Sequence, residues 1–360
     1  MAEYIAREMT NLSEIDKELA AIVSQQKAKI RVFGVGGSGN NSLSRMKSIG
    51  IKGAQLIAVN TDAQDLLYTS ADDKVLIGKE LTKGNGAGSN PRIGEESAKE
   101  SEHILKEKVD NADMVFITCG LGGGTGTGAA PFIAQLAKAS NALTIGVVTM
   151  PFSIEGRKRC ENAVYGLEKM ESAVDTLIVI PNDKLLELAP ELPIHTAFKI
   201  ADEILTNAVK GITELVTKPG LVNLDFADVK AVMLNGGIAL IGVGESDSKE
   251  RATEAVLKAI DNPLLDVDIQ GASGALVNIC GGQDLSLQEA KKVIEMVSQK
   301  LSNDAKMIWG AQISPEMDKN LKVMLIVTGA RSQHILGNGT KSSERHAAKI
   351  SEEMGIEFVE

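Results

Sequence analysis

The stretch Gly120-Leu121-Gly122-Gly123-Gly124-Thr125-Gly126-Thr127-Gly128 decides how this chain is read. It follows an apolar run, Met114–Cys119, and leads toward a helical segment expected over Pro131–Ser140. Glycines leave backbone N–H groups unobstructed, and a helix N-terminus carries partial positive charge, so the pattern makes a cradle for phosphate. A second cluster, Gly34-Val35-Gly36-Gly37-Ser38-Gly39-Asn40-Asn41, follows the run Lys29–Val35 and precedes an expected helix Asn40–Ile49. A third, Gly84-Asn85-Gly86-Ala87-Gly88-Ser89-Asn90-Pro91, stands before an expected helix Ile93–Val109. Taken alone, Gly34-x-Gly36-x-x-Gly39 fits either a tight strand-to-helix turn or a dinucleotide fingerprint, with Asp62 as the ribose acid. An NAD-dependent dehydrogenase would use only that cluster, whereas three glycine loops suit the longer polyphosphate of a nucleoside triphosphate. A P-loop is excluded, since G-x-x-x-x-G-K-[S/T] does not occur.

Further apolar runs lie at Gln55–Asn60, Lys74–Ile77, Leu143–Thr149 and Thr176–Ile180. Most are continuously apolar, as strands buried on both faces of a parallel sheet are. Helix-length segments such as Arg157–Ser172 separate them, so the first half predicts an α/β, doubly wound parallel sheet with ligands at its strands' carboxyl ends. From His195 to Thr217 apolar residues recur every three or four positions until Pro219-Gly220, which predicts a long central helix. Beyond it, helices Phe226–Leu234, Lys249–Ile260 and Leu287–Leu301 alternate with strands Ile238–Val243, Ala275–Ile279, Met307–Ile313 and Leu321–Thr328, the makings of a smaller α+β domain. The expected division is an N-terminal helical extension (1–27), a nucleotide-binding domain (28–194), the central helix (195–220), the α+β domain (221–329) and a tail (330–360).

Composition narrows the function. The 360 residues include 48 acidic against 38 basic, a net charge of −10, and no Lys/Arg run is interleaved with aromatics, which argues against nucleic acid as a partner. Three separated cysteines, Cys119, Cys160 and Cys280, lack C-x-x-C spacing and fit a reducing cytosol. No apolar stretch reaches membrane-spanning length, and the early acids Glu3 and Glu8 do not resemble a signal peptide. Cys119 is expected as core packing, with a reactive thiol as the alternative.

Seven motifs in order identify the chain more closely: Gly34–Asn41, Asn60-Thr61-Asp62, Gly84–Pro91, Gly122–Gly128, Pro151-Phe152-x-x-Glu155-Gly156, Pro181-Asn182-Asp183 and Asn223-Leu224-Asp225-Phe226-Ala227-Asp228. Over residues 28–329 the sequence closely resembles the prokaryotic cell-division GTPases of the tubulin/FtsZ superfamily, in their archaeal form. The resemblance implies GTP or GDP as ligand, Mg²⁺ held largely by phosphate and water and no confident side-chain metal ligand, and head-to-tail self-assembly into a filament at the mid-cell division site. A related filament for cell shape or DNA segregation is the alternative role.

The resemblance also distributes roles. Gly36, Gly37, Ser38, Gly39 and Asn40, with Gly123, Gly124, Thr125, Gly126 and Thr127, would hold the α- and β-phosphates, the threonine hydroxyls adding donors. Gly86, Ala87 and Gly88 would approach the γ-phosphate; Ser89 stands where the family often has glycine. Asp62 and Gln64 would lie near the phosphates and Mg²⁺. Glu155 and Arg159 would contact ribose and phosphate; by spacing alone they are a surface ion pair. Asn182 and Asp202 would read guanine, with Phe198 on the base; otherwise Asn182 is a helix cap and Phe198 a core position. Asn223, Asp225 and Asp228 would activate water at the nucleotide of a neighbouring subunit; by themselves the two acids are an N-cap and a dipole-friendly partner. The terminal Ile356–Val359 would recruit a membrane-linked adaptor protein, or is a frayed end.

Overall fold

The computed structural model describes residues 28–329, apart from 189–192, 219, 223, 266–271, 303 and 315–316. The expected N-terminal helix, Asn223 and the adaptor-recruiting tip lie outside the described residues.

The first half alternates as its apolar runs require: β1 Ile30–Val35, α1 Gly36–Ser48, β2 Ala54–Asn60, α2 Ala63–Tyr68, β3 Asp73–Leu76, α3 Lys79–Thr82, α4 Pro91–Glu100, α5 Glu102–Val109, β4 Met114–Gly120, α6 Thr125–Ala139, β5 Leu143–Met150, α7 Arg157–Ala173, β6 Thr176–Pro181 and α8 Asn182–Leu188. The long helix α9, Ile194–Thr217, follows. Then come α10 Phe226–Met233, β7 Gly237–Ser246, α11 Arg251–Ile260, β8 Gly274–Gly281, α12 Leu287–Ser298, β9 Lys306–Ile313 and β10 Leu321–Thr328.

All ten strands join one sheet in the order β3-β2-β1-β4-β5-β6-β7-β10-β8-β9. The first six are parallel. Their order reverses between β1 and β4, which opens a crevice at the carboxyl ends of those two strands. Side chains of successive β1 residues point to opposite faces, and both faces are apolar. Val32 packs with Leu43, Met46, Leu205 and Ile212 on one side. Phe33 packs with Ile117, Ala130 and Ile133 on the other. This two-sided burial explains why the strands read as unbroken apolar runs.

The sheet does not stop at the anticipated domain boundary. Three residue pairs, from Thr176↔Gly237 to Ile178↔Ala239, carry it from β6 into β7, and antiparallel β10 then links β7 to β8. Leu240, Val277, Leu325 and the apolar faces of α11 and α12 make a separate core there. Helix α9 lies across both halves, since one cluster holds Leu205, Val209 and Ile212 together with Val32, Leu276 and Ile326. Burying such a side chain is worth roughly 1.5–3 kcal/mol; Ile212→Ala, leaving a cavity between the halves, costs about 2–5 kcal/mol.

Three helix boundaries differ from the sequence expectation, for physical reasons. α1 and α6 begin inside the glycine clusters, at Gly36 and Thr125 rather than Asn40 and Pro131, so Pro131 sits within α6. Close packing outweighs poor helix propensity there: a side chain on Gly128 would collide with the Pro91 carbonyl. The expected helix Ile93–Val109 breaks at Ser101, whose hydroxyl accepts the Gly78 N–H at 3.2 Å. The short helices α2, α3 and α8 carried too few turns to register as periodic patterns.

Candidate functional site

The crevice between β1 and β4 widens into a cavity of about 560 Å³. Its phosphate-sized end is backbone. Gly36, Gly37 and Ser38 from the start of α1 face Gly123, Gly124, Thr125 and Gly126 at the start of α6, so two helix N-termini converge. Gly36 has φ +74°, and a Cβ there would stand 2.9 Å from Gly126 N, so the two loops can touch only through glycine. Gly124 is crowded in the same way by Ala87 Cβ at 2.8 Å and Asn90 N at 2.9 Å, which brings the third glycine cluster onto the second.

That third cluster is pinned by a bridge between Asp62 and Asn85 and by the Gly86 N–H donating to Thr61 O at 3.1 Å. Ala87 and Ser89 reach the cavity wall; Gly86 and Gly88 do not. Ser89 adopts φ +57°, a left-handed backbone that glycine takes at less cost. Asp62 lines the cavity and caps α2, accepting from Gln64 N at 2.9 Å and Asp65 N at 3.0 Å. Gln64 contributes that backbone donor while its side chain is exposed and off the wall.

The two threonine hydroxyls of the second cluster part company. Thr127 is buried away from the cavity, where its Oγ1 accepts the Gly122 N–H at 2.9 Å and shapes the loop. Thr125 lines the cavity with its hydroxyl 2.6 Å from that of Thr61. Gly39 and Asn40 also lie behind the wall, Gly39 packed toward Thr118 O. In place of Gln64 stands a residue the sequence did not single out. Asp65 accepts from Asn60 Nδ2 at 2.6 Å and Asn40 Nδ2 at 3.1 Å, and it shares the wall with Asn60. Only the fold places these asparagines side by side. Asn40 Oδ1, fully buried, has no hydrogen-bond partner among the described residues.

The opposite end of the cavity is built by α7, α8 and α9. Asn182 is buried and lines it, with Oδ1 unpartnered. Asp202 from α9 joins it, its Oδ1 accepting from Ser42 Oγ at 2.9 Å. Burial pushes the Asp202 carboxyl above the usual range, while the Ser42 hydrogen bond and the Arg45 charge oppose that rise. A base with adjacent N–H donors would satisfy both acceptors; guanine has them and adenine does not. Phe198, 40% exposed, stands at the same end with its ring edge-on to buried Phe152, centroids 5.0 Å apart. Phe152 is a positioning residue hidden within the Pro151–Gly156 motif. Glu155 and Arg159 form an ion pair on the rim, Glu155 also accepting the Phe152 N–H at 2.9 Å. The ion pair expected from the spacing is there, and both of its members stand on the cavity wall.

Asp225 and Asp228 lie elsewhere. Helix α9 starts at the cavity and ends where Thr217 meets Gly53 at the amino end of β2; its 24 residues span about 36 Å at 1.5 Å per residue. Asp225 follows, capping α10: Asp225 Oδ1 accepts the Asp228 N–H at 2.7 Å, and Asp228 Oδ2 accepts the Asp225 N–H at 3.2 Å. Each acid keeps a second oxygen outside this box. Cys119 is buried and its thiol is pushed up to about 12, which removes the reactive-thiol alternative.

A doubly wound sheet with three glycine loops at its switch point, no P-loop and a spine helix shared with a second sheet half defines the tubulin-like class of nucleotide-binding proteins. Comparison with known proteins agrees: residues 29–190 match the GTPase domain of the Tubulin/FtsZ family, and residues 237–331 match the C-terminal domain of the FtsZ family. The chain is 58% identical over 338 residues to Cell division protein FtsZ 1 of Thermococcus kodakarensis, covering 94% of this chain and 90% of that one. It is 55% identical to Cell division protein FtsZ of Methanothermobacter thermautotrophicus, covering 97% and 93%. An FtsZ dimer structure from M. jannaschii superimposes with a TM-score of 0.85 at 57% identity, covering 88% of this chain and 93% of that chain. The chain belongs to the FtsZ family. That membership sets aside the dehydrogenase reading of Gly34–Gly39.

Proposed function

We propose that this chain is a GTP-hydrolysing filament protein of cell division, assembling head to tail with copies of itself in the cytoplasm at the mid-cell division site. The observation that carries the proposal is a division of labour along α9: the cavity at its start has groups suited to phosphate and guanine, while exposed Asp225 and half-exposed Asp228 lie past its end. Of the acids on the cavity wall, Asp62 and Asp65 beside the glycine loops already accept hydrogen bonds from backbone and asparagine donors.

The chain's residues would act as follows. Backbone N–H groups of Gly36–Ser38 and Gly123–Gly126 hold the phosphates, and Ala87 and Ser89 meet the terminal one. Asn182 and Asp202 accept from the guanine edge while Phe198 packs on the ring and Glu155 and Arg159 border the ribose. Asp62 and Asp65, with the unpartnered Asn40 Oδ1 behind them, fit the water shell of a hydrated Mg²⁺, which would neutralise charge on the phosphates when bound. Asp225 and Asp228 of the next copy then polarise the attacking water with their second carboxylate oxygens, and Asn223 helps to orient it. A heterologous contact of this kind does not close, so it propagates a filament. Membrane attachment would pass through an adaptor protein bound to the tail, at Ile356–Val359.

The test is phosphate release per subunit against protein concentration. A shared site gives a threshold followed by a rise in specific rate; a rate independent of concentration, down to material that is monomeric by light scattering, rules it out.

A further inference from the structure

Ser42 is fully buried within α1 and stands behind the cavity wall, not on it. Serine is a poor choice for such a place. It lowers helix propensity relative to alanine, and a buried hydroxyl costs free energy unless it is hydrogen-bonded. Its proton has two acceptors: the Ser38 carbonyl of its own helix at 3.1 Å, and Asp202 Oδ1, reaching over from α9, at 2.9 Å. The carboxylate is the nearer and, being ionised, the stronger acceptor. The hydroxyl therefore serves Asp202 more than it serves α1.

Asp202 also depends on this bond more than the acids at the phosphate end depend on any one of theirs. Asp62 accepts from two backbone N–H groups, and Asp65 from two asparagine amides. Among the described residues, Ser42 is the one hydrogen-bond donor to Asp202. The terminal torsion of an aspartate is broad, so a carboxylate released from its single donor turns freely. The surrounding charges do not replace that hold. Arg45 on α1 attracts the carboxylate but is itself paired with Glu203 of α9 at 3.1 Å. Lys199 of α9 is exposed. Asp183 of α8 accepts the Ser153 N–H at 2.9 Å, and Glu155 and Arg159 pair with each other on the rim. Burial favours a neutral Asp202, and the Ser42 hydrogen bond opposes it. A neutral carboxyl would present a donor to a base edge that presents donors of its own.

We propose that Ser42 is a positioning residue for base selection: from behind the cavity wall it fixes the rotation of the Asp202 carboxylate and so sets how far the site prefers guanine. The role rests on Asp202 being the guanine acceptor, as proposed above, and Ser42 itself touches no nucleotide.

A double-mutant cycle on the full chain tests this, with GDP and IDP affinities measured by displacement of a fluorescent guanine nucleotide. IDP lacks the exocyclic amine of guanine, so the ratio of the two affinities reads the contact that an oriented carboxylate makes. Ser42→Ala lowers the preference for GDP about fivefold, while the melting midpoint stays unchanged or rises, as alanine in a helix allows. The same variant moves the acid loss of GDP affinity to higher pH, because burial of Asp202 is then opposed by Arg45 alone. In an Asp202→Ala background, Ser42→Ala leaves the preference where it was, since no carboxylate remains to orient. An equal fall in both backgrounds, or an unmoved preference and pH profile in Ser42→Ala, overturns the role of Ser42 and leaves the guanine reading standing. A preference that survives Asp202→Ala overturns both.

Discussion

The two ends of α9 are built by opposite means. At its start, the cavity depends on close approach: Gly36 against Gly126, Gly124 against Ala87, and buried Asn182 beside half-buried Asp202 on its wall. At its end, Asp225 is exposed and satisfied locally by a capping box that would form on an isolated helix. The first region is costly to assemble and selective once assembled. The second is cheap, leaves carboxylate oxygens outward, and gains chemical meaning only if something is brought to it. A binding site needs tertiary enclosure, whereas acids proposed to serve a neighbouring molecule need to be reachable from outside.

The largest expected effect breaks the acid end alone. Asp225→Asn retains an N-cap oxygen but removes the charge, so the thermal midpoint stays within a degree or two while phosphate release falls about 100-fold or more. Asp225→Ala loses both, adding about 1 kcal/mol of destabilisation. Comparing the two variants by melting and by turnover separates capping from catalysis; equal turnover in Asp225→Asn and the unmodified chain refutes the catalytic role.

Breaking the other end comes next. Asp202→Asn replaces an acceptor with an amide that presents a donor to guanine, and GDP affinity measured by fluorescence displacement should drop at least tenfold. Xanthine nucleotides, which carry a carbonyl where guanine has its amine, should lose much less.

Acidification should sharpen the contrast in order. Asp202, raised by burial, protonates at higher pH than an ordinary carboxyl, so nucleotide affinity declines first. Because its folded value is raised, that protonation does not itself destabilise the empty chain. In the other half of the sheet Glu289 is held down to about 2, chiefly by Arg251, whose side chain it meets at 2.6 Å. Its contribution is complete above the ordinary value of 4.5 and is lost as pH falls from there toward 2. Glu289→Gln should cost about 2 kcal/mol at neutral pH and flatten the acid limb of the stability curve. Chemical denaturation across pH, with nucleotide binding followed in parallel, checks both the order and the magnitude.

The smallest change is Ser89→Gly. Relief of the left-handed backbone at φ +57° is offset by the greater freedom of glycine when unfolded, leaving a gain of less than about 1 kcal/mol and an unaltered affinity for GDP, which lacks the terminal phosphate that Ser89 would meet. A destabilised variant would mean that the Ser89 side chain makes a contribution of its own.

How much was legible follows the same division. All ten strands stand in the sequence within three residues at either end, because runs such as Val32–Val35 and Val115–Cys119 are apolar on both faces and a period of two or none reads directly. The helix starts at Gly36 and Thr125 did not, since local propensity opposes them and only the opposing backbone favours them. Within the site, the glycine loops, Asp62, Asn182 and Asp202 were visible as motifs. Asn60 and Phe152 stood inside two of those motifs without a role of their own, and Asp65 stood in none: Asp65 is one acid in a short helix until Asn40 arrives from α1, and Phe152 is an aromatic in a turn until α9 sets Phe198 against it.

By itself, then, the sequence determined the strand set, the long helix and the three loops suited to phosphate, because periodicity and glycine clustering act over neighbouring residues. The tertiary structure alone decided that one sheet runs through both halves, which side chains face the cavity, and that Asp225 and Asp228 lie past the far end of α9 from it. Those are distances between segments far apart in the chain, and they are fixed by packing rather than by any local preference.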